Sequence, residues 1–176
     1  VQTCALPIYP LDEKSKMGAI VSKPHYEKIL SYIELAKQEG GTIVFGGNAI
    51  NPGGKNANGY FIEPTIIEGL AYDCRTNQEE IFGPVVTLTP FDTEEEVLKY
   101  ANSTTYGLAA TLWTTNLSRA HRMSALIESG IIWVNCWLLR DLRTPFGGMK
   151  GSGVGREGGF EALNFFTEEK NVCIKF

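Results

Sequence analysis

The chain predicts an α/β fold: a mostly parallel sheet with helices on both faces. Three observations carry this expectation. Segments with apolar residues at helix spacing alternate with short apolar runs of strand length, the pattern of parallel strands joined by crossover helices. The run IIWVNC has almost no polar break, as in a strand covered on both faces. The segment after it, NCWLLRDLRTPFGGMKGSGVGREGG at 135–159, is dense in glycine and carries two arginines before its glycine run. Sites in such folds lie beyond the carboxyl ends of strands.

The elements follow in order. Residues 1–8, VQTCALPI, lack the basic start and long apolar centre of a signal peptide, and they back-translate into a common sequencing-library adapter. They are expected to be non-native, with the native frame starting near Tyr9; native coding DNA running through these codons in the resequenced locus would refute this. Tyr26, Ile29, Leu30 and Ile33 repeat at helix spacing, with Ser22 as cap and Gly40-Gly41 as stop. TIVF is a short strand, and GGNAINPGGKNANG is a polar, glycine-rich surface loop. YFIEPTII reads as an extended segment in which Pro64 suits an edge or a bulge. VVTLTPF is a strand. Thr93 and Glu96 form a capping box for a helix ending near Asn102. LAATLW is a strand, and Asn116 caps a helix with Leu117, Ala120, Ser124 and Ile127 on one face, closed by Gly130. After IIWVNC and the glycine loop come a short helix near Phe160 to Phe165 and a last strand, NVCIKF.

Composition excludes several classes. The 176 residues allow one domain with a real core, and no linker or internal repeat divides them. A net charge of −4 without a basic stripe argues against a nucleic-acid partner. No apolar run approaches the roughly 18 residues that span a bilayer, so no membrane partner is expected. The four cysteines, at 4, 74, 136 and 173, form no C-x-x-C pair, and only His25 and His121 are available beside them, so no metal site is expected. Scattered thiols favour a reducing, cytoplasmic setting.

Each candidate motif has a bland alternative. Gly153-x-Gly155-x-x-Gly158 matches GxGxxG but follows a loop, and the chain ends before a second strand could close the unit; a loop for tight packing is favoured over a dinucleotide fingerprint. In Glu79-Glu80-Ile81-Phe82-Gly83-Pro84, a carboxylate and an aromatic ring could serve ribose hydroxyls and a flat cofactor ring; the alternative is a solvated helix end with Phe82 in the core. Arg140 and Arg143, beside Trp137 and Phe146, look like a fork for a carboxylate or phosphate against an apolar wall; the alternative is solvated loop charges. Cys136, with no basic partner in the sequence, is expected as a buried, inert thiol, as are Cys74 and Cys173. His121 is expected near the core face of its helix.

EEIFGP, NSTTYGLAATLWT, WVNC and PFGGMKGSGVGREGG, in this order and spacing, resemble the C-terminal part of the aldehyde dehydrogenase superfamily. The likeness runs from about Leu11 to Phe176. It implies oxidation of an aldehyde to a carboxylate with NAD, NADP not excluded: a cysteine thiolate attacks, hydride passes to the nicotinamide, and activated water releases the acid. By this resemblance Glu80 holds the nicotinamide ribose, Phe82 lies beside the nicotinamide, and His25 is near a position on the adenosine side. Trp137 to Arg143 and Phe146 belong to the substrate-access loop. The last strand resembles one that joins a neighbouring subunit in a homo-oligomer, a dimer or tetramer. The family's nucleophile, general base and Rossmann domain lie upstream of the matching region, so 9–176 is expected as a partial catalytic domain with no catalytic residue of its own, inactive alone. WLLRDLRTPFGG resembles the members that oxidise muconic semialdehydes, of 2-aminomuconate or 2-hydroxymuconate type, whose remote carboxylate Arg140 and Arg143 would pair. The alternatives are another aldehyde, such as betaine aldehyde, and a non-catalytic oligomerisation module.

Overall fold

The computed structural model describes Ser15 and residues 17–176. Residues 1–8, with the expectation that they are non-native, lie outside the described residues. Two compact units meet in sequence between Phe91 and Asp92, where the sequence carries no linker.

In the first unit, α1 (Lys23–Gln38) starts as its sequence predicts. Ser22 is extended, and its hydroxyl accepts from the His25 amide at 3.4 Å. Ile29, Ile33 and Ala36 form the buried face, one stripe of the helix. At the other end the Gly40 amide donates to the Lys37 carbonyl at 3.1 Å and the Gly41 amide to the Ala36 carbonyl at 2.8 Å. This paired closure satisfies carbonyls that the helix would leave open.

A three-stranded sheet runs in the order β1 (Thr42–Phe45), β4 (Thr65–Glu68), β5 (Val85–Leu88). β1 is antiparallel to β4, and β4 is parallel to β5. β2 (Ala49–Ile50) pairs separately with β3 (Phe61–Ile62). The segment YFIEPTII is therefore two strands, and the second is central where the sequence suggested an edge. Pro64 falls between them, so its missing N–H removes no ladder bond; the bulge lies on β1 instead, between Ile43 and Phe45. The crossover to β5 contains α2 (Arg75–Gln78), one turn long. Its start is capped from outside: Glu39 accepts from the Arg75 amide at 3.0 Å and the Thr76 amide at 3.1 Å. Ile29, Ile33 and Ile62 form one buried cluster, and Ala36, Ile67 and Leu70 a second.

In the second unit, α3 (Glu94–Asn102) is capped by Thr93, whose hydroxyl accepts from the Glu96 amide at 3.1 Å. The Glu96 carboxylate reaches back to the Asp92 amide at 2.8 Å, one residue beyond the expected box. β7 (Ala109–Leu112) and β8 (Ile131–Val134) are parallel and joined through α4 (Leu117–Leu126), a β-α-β unit. Asn116 caps α4, accepting from the Arg119 amide at 2.9 Å. The buried residue of α4 is Met123, while Leu117 is exposed. β6 (Tyr106–Gly107) is antiparallel to β9 (Met149–Lys150), and α5 spans Gly159–Phe166.

The α/β class holds, with parallel pairs bridged by helices. Among the described residues the sheets are small and partly parallel, with β4–β5 and β7–β8 parallel and the other three pairings antiparallel. β8 is half covered, with only Trp133 buried. NVCIKF carries no strand within this chain, because a strand needs a backbone neighbour to pair with. Cys173 and His121 are exposed rather than packed in a core.

Because Ile29 is fully buried at the centre of its cluster, Ile29→Ala should destabilise the fold by about 2–5 kcal/mol. Urea unfolding measures this, and a loss within error of zero would show that the cluster is not a core.

Candidate functional site

The loop Glu79–Pro84 follows α2 and leads into β5. Gly83 seats it on α1: a Cβ there would come within 2.7 Å of the Ile29 side chain. Three residues of α1 then reach the loop. The His25 Nε2 lies 2.6 Å from the Phe82 carbonyl, and since a carbonyl only accepts, Nε2 carries the proton. The Lys28 ammonium donates to the Glu80 carbonyl at 2.6 Å. The Tyr32 hydroxyl donates to the Glu79 carboxylate. From α2, Arg75 Nε and Nη2 donate to the two Glu79 oxygens at 2.7 and 3.0 Å.

The two adjacent acids are thus in opposite situations. Both Glu79 oxygens are occupied. The exposed Glu80 carboxylate has no hydrogen-bond or ion-pair partner among the described residues. Phe82 sits at φ 57° and is 74% exposed. It is not a core residue; its ring meets His25 edge-on, with centroids 5.9 Å apart. An exposed carboxylate two residues from an exposed aromatic ring could serve a dihydroxy sugar beside a flat heteroaromatic ring. His25 acts on the Phe82 backbone, a role the sequence did not assign. Lys28, Tyr32 and Arg75 were missed. The available signal was the spacing of His25, Lys28 and Tyr32, which lines them along one helix stripe.

The second region is the loop after β8. Trp133 Nε1 donates to the Leu139 carbonyl at 2.8 Å, and its ring packs against Trp137 with centroids 5.8 Å apart. Trp137 itself is 68% exposed. The Arg140 guanidinium lies over the Phe146 ring, 3.9 Å from its centroid, a cation–π stack. Its Nη2 is 3.2 Å from Glu157 Oε1. Backbone bonds of 2.7 and 2.8 Å tie Phe146 to Glu157, so the stack and the carboxylate are held on one frame. Arg143 turns to Asp141 instead, with Nε–Oδ1 2.9 Å and Nη2–Oδ2 2.5 Å. The two arginines do not form one fork; each has its own acid.

The glycine run folds back on this loop. At Gly158, φ is +89° and a Cβ would meet the Thr144 carbonyl oxygen at 2.4 Å, so only glycine fits. The close-packing reading of GxGxxG accords with this. Phe146, Val154, Arg156, Phe165 and Phe166 line a pocket of about 300 Å³. Phe146 is the one sequence-named site residue among its walls. No cluster of metal-ligating side chains occurs among the described residues. No described helix is long and apolar enough to cross a membrane. Burial pushes the Cys74 thiol pKa up, as expected for an inert thiol.

A model described as aldehyde dehydrogenase family matches residues 4–172. The chain belongs to the aldehyde dehydrogenase family. It is 56% identical to a 2-aminomuconic 6-semialdehyde dehydrogenase of Pseudomonas sp, over 95% of this chain and 34% of that protein. It is 52% identical to a 2-hydroxymuconic semialdehyde dehydrogenase of Pseudomonas sp. (strain CF600), over 94% of this chain and 34% of that one. Among solved structures, an indole-3-acetaldehyde dehydrogenase in complex with NAD+ superposes with a TM-score of 0.90 at 41% identity, over 98% of this chain and 34% of the other. An aldehyde dehydrogenase structure from Burkholderia cenocepacia gives 0.84 at 47%, over 90% and 32%. The chain spans about a third of the length of the curated relatives it matches.

The Arg75 guanidinium, with the Tyr32 hydroxyl, holds the Glu79 carboxyl down to about 2 from its ordinary 4.5. A depressed carboxyl pKa contributes fully above the ordinary value and is lost as pH falls through the folded one. A carbon-13 titration should therefore leave Glu79 ionised through pH 4.5, with a midpoint near 2. A midpoint at the ordinary value would mean that the clamp does not form.

Proposed function

We propose that this chain is the C-terminal third of an NAD-dependent dehydrogenase. Its substrate is a semialdehyde carrying its own carboxylate, of the 2-aminomuconate or 2-hydroxymuconate type, which it oxidises to the acid. The observation that carries the substrate class is Arg140. Its guanidinium lies over the Phe146 ring, binds Glu157 through one nitrogen, and stays 41% exposed. Its other N–H groups can take the remote carboxylate in the bidentate way that arginine favours. Arg143 is the second candidate, but Asp141 already engages its Nε and Nη2. Trp137 and Phe146 supply the apolar wall. The names of the most similar relatives support this reading.

Glu80 accepts from the nicotinamide ribose hydroxyls, and Phe82 packs beside the nicotinamide. Bound NAD supplies the acceptor for the hydride. The nucleophilic cysteine and the general base belong to the remaining two thirds of the enzyme, which is cytoplasmic and homo-oligomeric. Val172, Ile174 and Phe176 are exposed and alternate along NVCIKF, so that one face of a strand would be apolar once a neighbouring subunit pairs with it. A second reading, a cationic aldehyde, is favoured by the name of a 4-trimethylaminobutyraldehyde dehydrogenase of Danio rerio, 42% identical over 94% of this chain and 33% of that protein.

In the full-length enzyme, Arg140→Ala should cost a charge-assisted contact of about 1.5–3 kcal/mol, roughly ten- to a hundredfold in KM for the acidic semialdehyde. KM for a neutral aldehyde should stay nearly unchanged. Equal losses on both substrates would remove the carboxylate from Arg140, and faster turnover of a trimethylammonium aldehyde would favour the second reading. The 176-residue chain by itself should form no NADH from any aldehyde.

A further inference from the structure

We infer that Glu79, clamped between Tyr32 and Arg75, is a positioning residue that fixes where Glu80 and Phe82 meet the dinucleotide; the inference rests on the role given to those two residues above. Glu79 is itself unfit to bind a ligand, since Arg75 and Tyr32 occupy both of its oxygens. Its backbone is extended, at φ −101° and ψ 149°. In an extended segment neighbouring side chains point to opposite sides. Tying Glu79 inward therefore turns Glu80 outward. The loop is held again just beyond, where Lys28 takes the Glu80 carbonyl and His25 the Phe82 carbonyl. Both side chains are exposed, the Phe82 ring touching α1 only edge-on at His25.

These bonds lie at the surface. The Arg75 and Glu79 side chains are 63% and 40% exposed, and exposed pairs contribute little to stability. What the clamp supplies is geometry. Its loss should appear in nucleotide binding and leave the melting temperature and the aldehyde site almost untouched.

The test uses the full-length enzyme, titrated with NAD in the absence of aldehyde by calorimetry. Three variants are compared: Glu79→Ala, Tyr32→Phe and, as reference, Glu80→Gln. Glu79→Ala should raise the Kd for NAD about tenfold, within the range a small misplacement produces. Tyr32→Phe, which deletes one hydroxyl and nothing else, should raise it by a smaller factor. The aldehyde KM should not move, and Tm should stay within about 2 °C, the scale of a small surface change. If Glu80→Gln weakens NAD binding and neither clamp variant does, the clamp is overturned while Glu80 keeps its role. If Glu80→Gln has no effect on NAD binding, both fall. Parallel losses in Tm, NAD affinity and aldehyde KM would make Glu79 a stabilising residue and overturn its positioning role. Should Glu79→Ala not fold, Tyr32→Phe decides.

Discussion

The Ile29 side chain lies fully buried beneath Gly83, where any Cβ would come within 2.7 Å of it. That single close approach joins two parts of the first unit. On one side Ile29 packs with Ile33 and Ile62; on the other it fixes the height of the Glu79–Pro84 loop above α1. Burying an isoleucine contributes about 1.5–3 kcal/mol. A surface ion pair contributes about 0–1 kcal/mol. Packing thus decides whether the loop stays on the helix. The polar residues next to Ile29 along α1 decide which way its side chains point. An apolar stripe and a polar stripe on one helix divide stability from orientation.

What could be read from the residues is what is local. Ser22, Thr93 and Asn116 were legible as caps because a cap is chosen by bonds within three residues. β7 and β8 were legible because each is a short apolar run. Pairing was not. Nothing in TIVF says that it lies antiparallel to Thr65–Glu68 across a two-stranded excursion, since strand partners are set by the whole chain. α2 is a single turn, too short for a period to show, and its cap is Glu39, 36 residues earlier. The alternation in NVCIKF was visible, but a strand is a property of two segments, and no described residue pairs with this one.

The site divides in the same way. Glu80 and Phe82 stand in a six-residue motif and could be named from it. The groups that hold them could not. Lys28 and Tyr32 reach the loop from 52 and 47 residues away. The bond of His25 to the Phe82 carbonyl spans 57 residues and could not be read from the motif either. The arginine pair failed as a pair for a nearer cause. Asp141 lies between Arg140 and Arg143 in sequence, and this short acid two residues away engages Arg143 Nε and Nη2. Counting cations in a loop overstates its anion-binding power whenever acids are interleaved.

Arg140 escapes that fate through geometry. Its acid, Glu157, is 17 residues away and meets only Nη2, at 3.2 Å, longer than a strong charge-assisted bond. The backbone bridge between Phe146 and Glu157 keeps that carboxylate in place, and the Phe146 ring lies under the guanidinium, 3.9 Å from its central carbon. A lysine in this position would lose both effects, because an ammonium has neither a flat face to stack nor a fork to offer. The arrangement holds a cation over an aromatic ring without saturating it. Specificity for a substrate with a remote carboxylate needs a charge in a defined orientation with N–H groups still unspent. Under the function proposed above, the ring beneath Arg140 supports that charge and the single weak contact leaves N–H groups for the carboxylate.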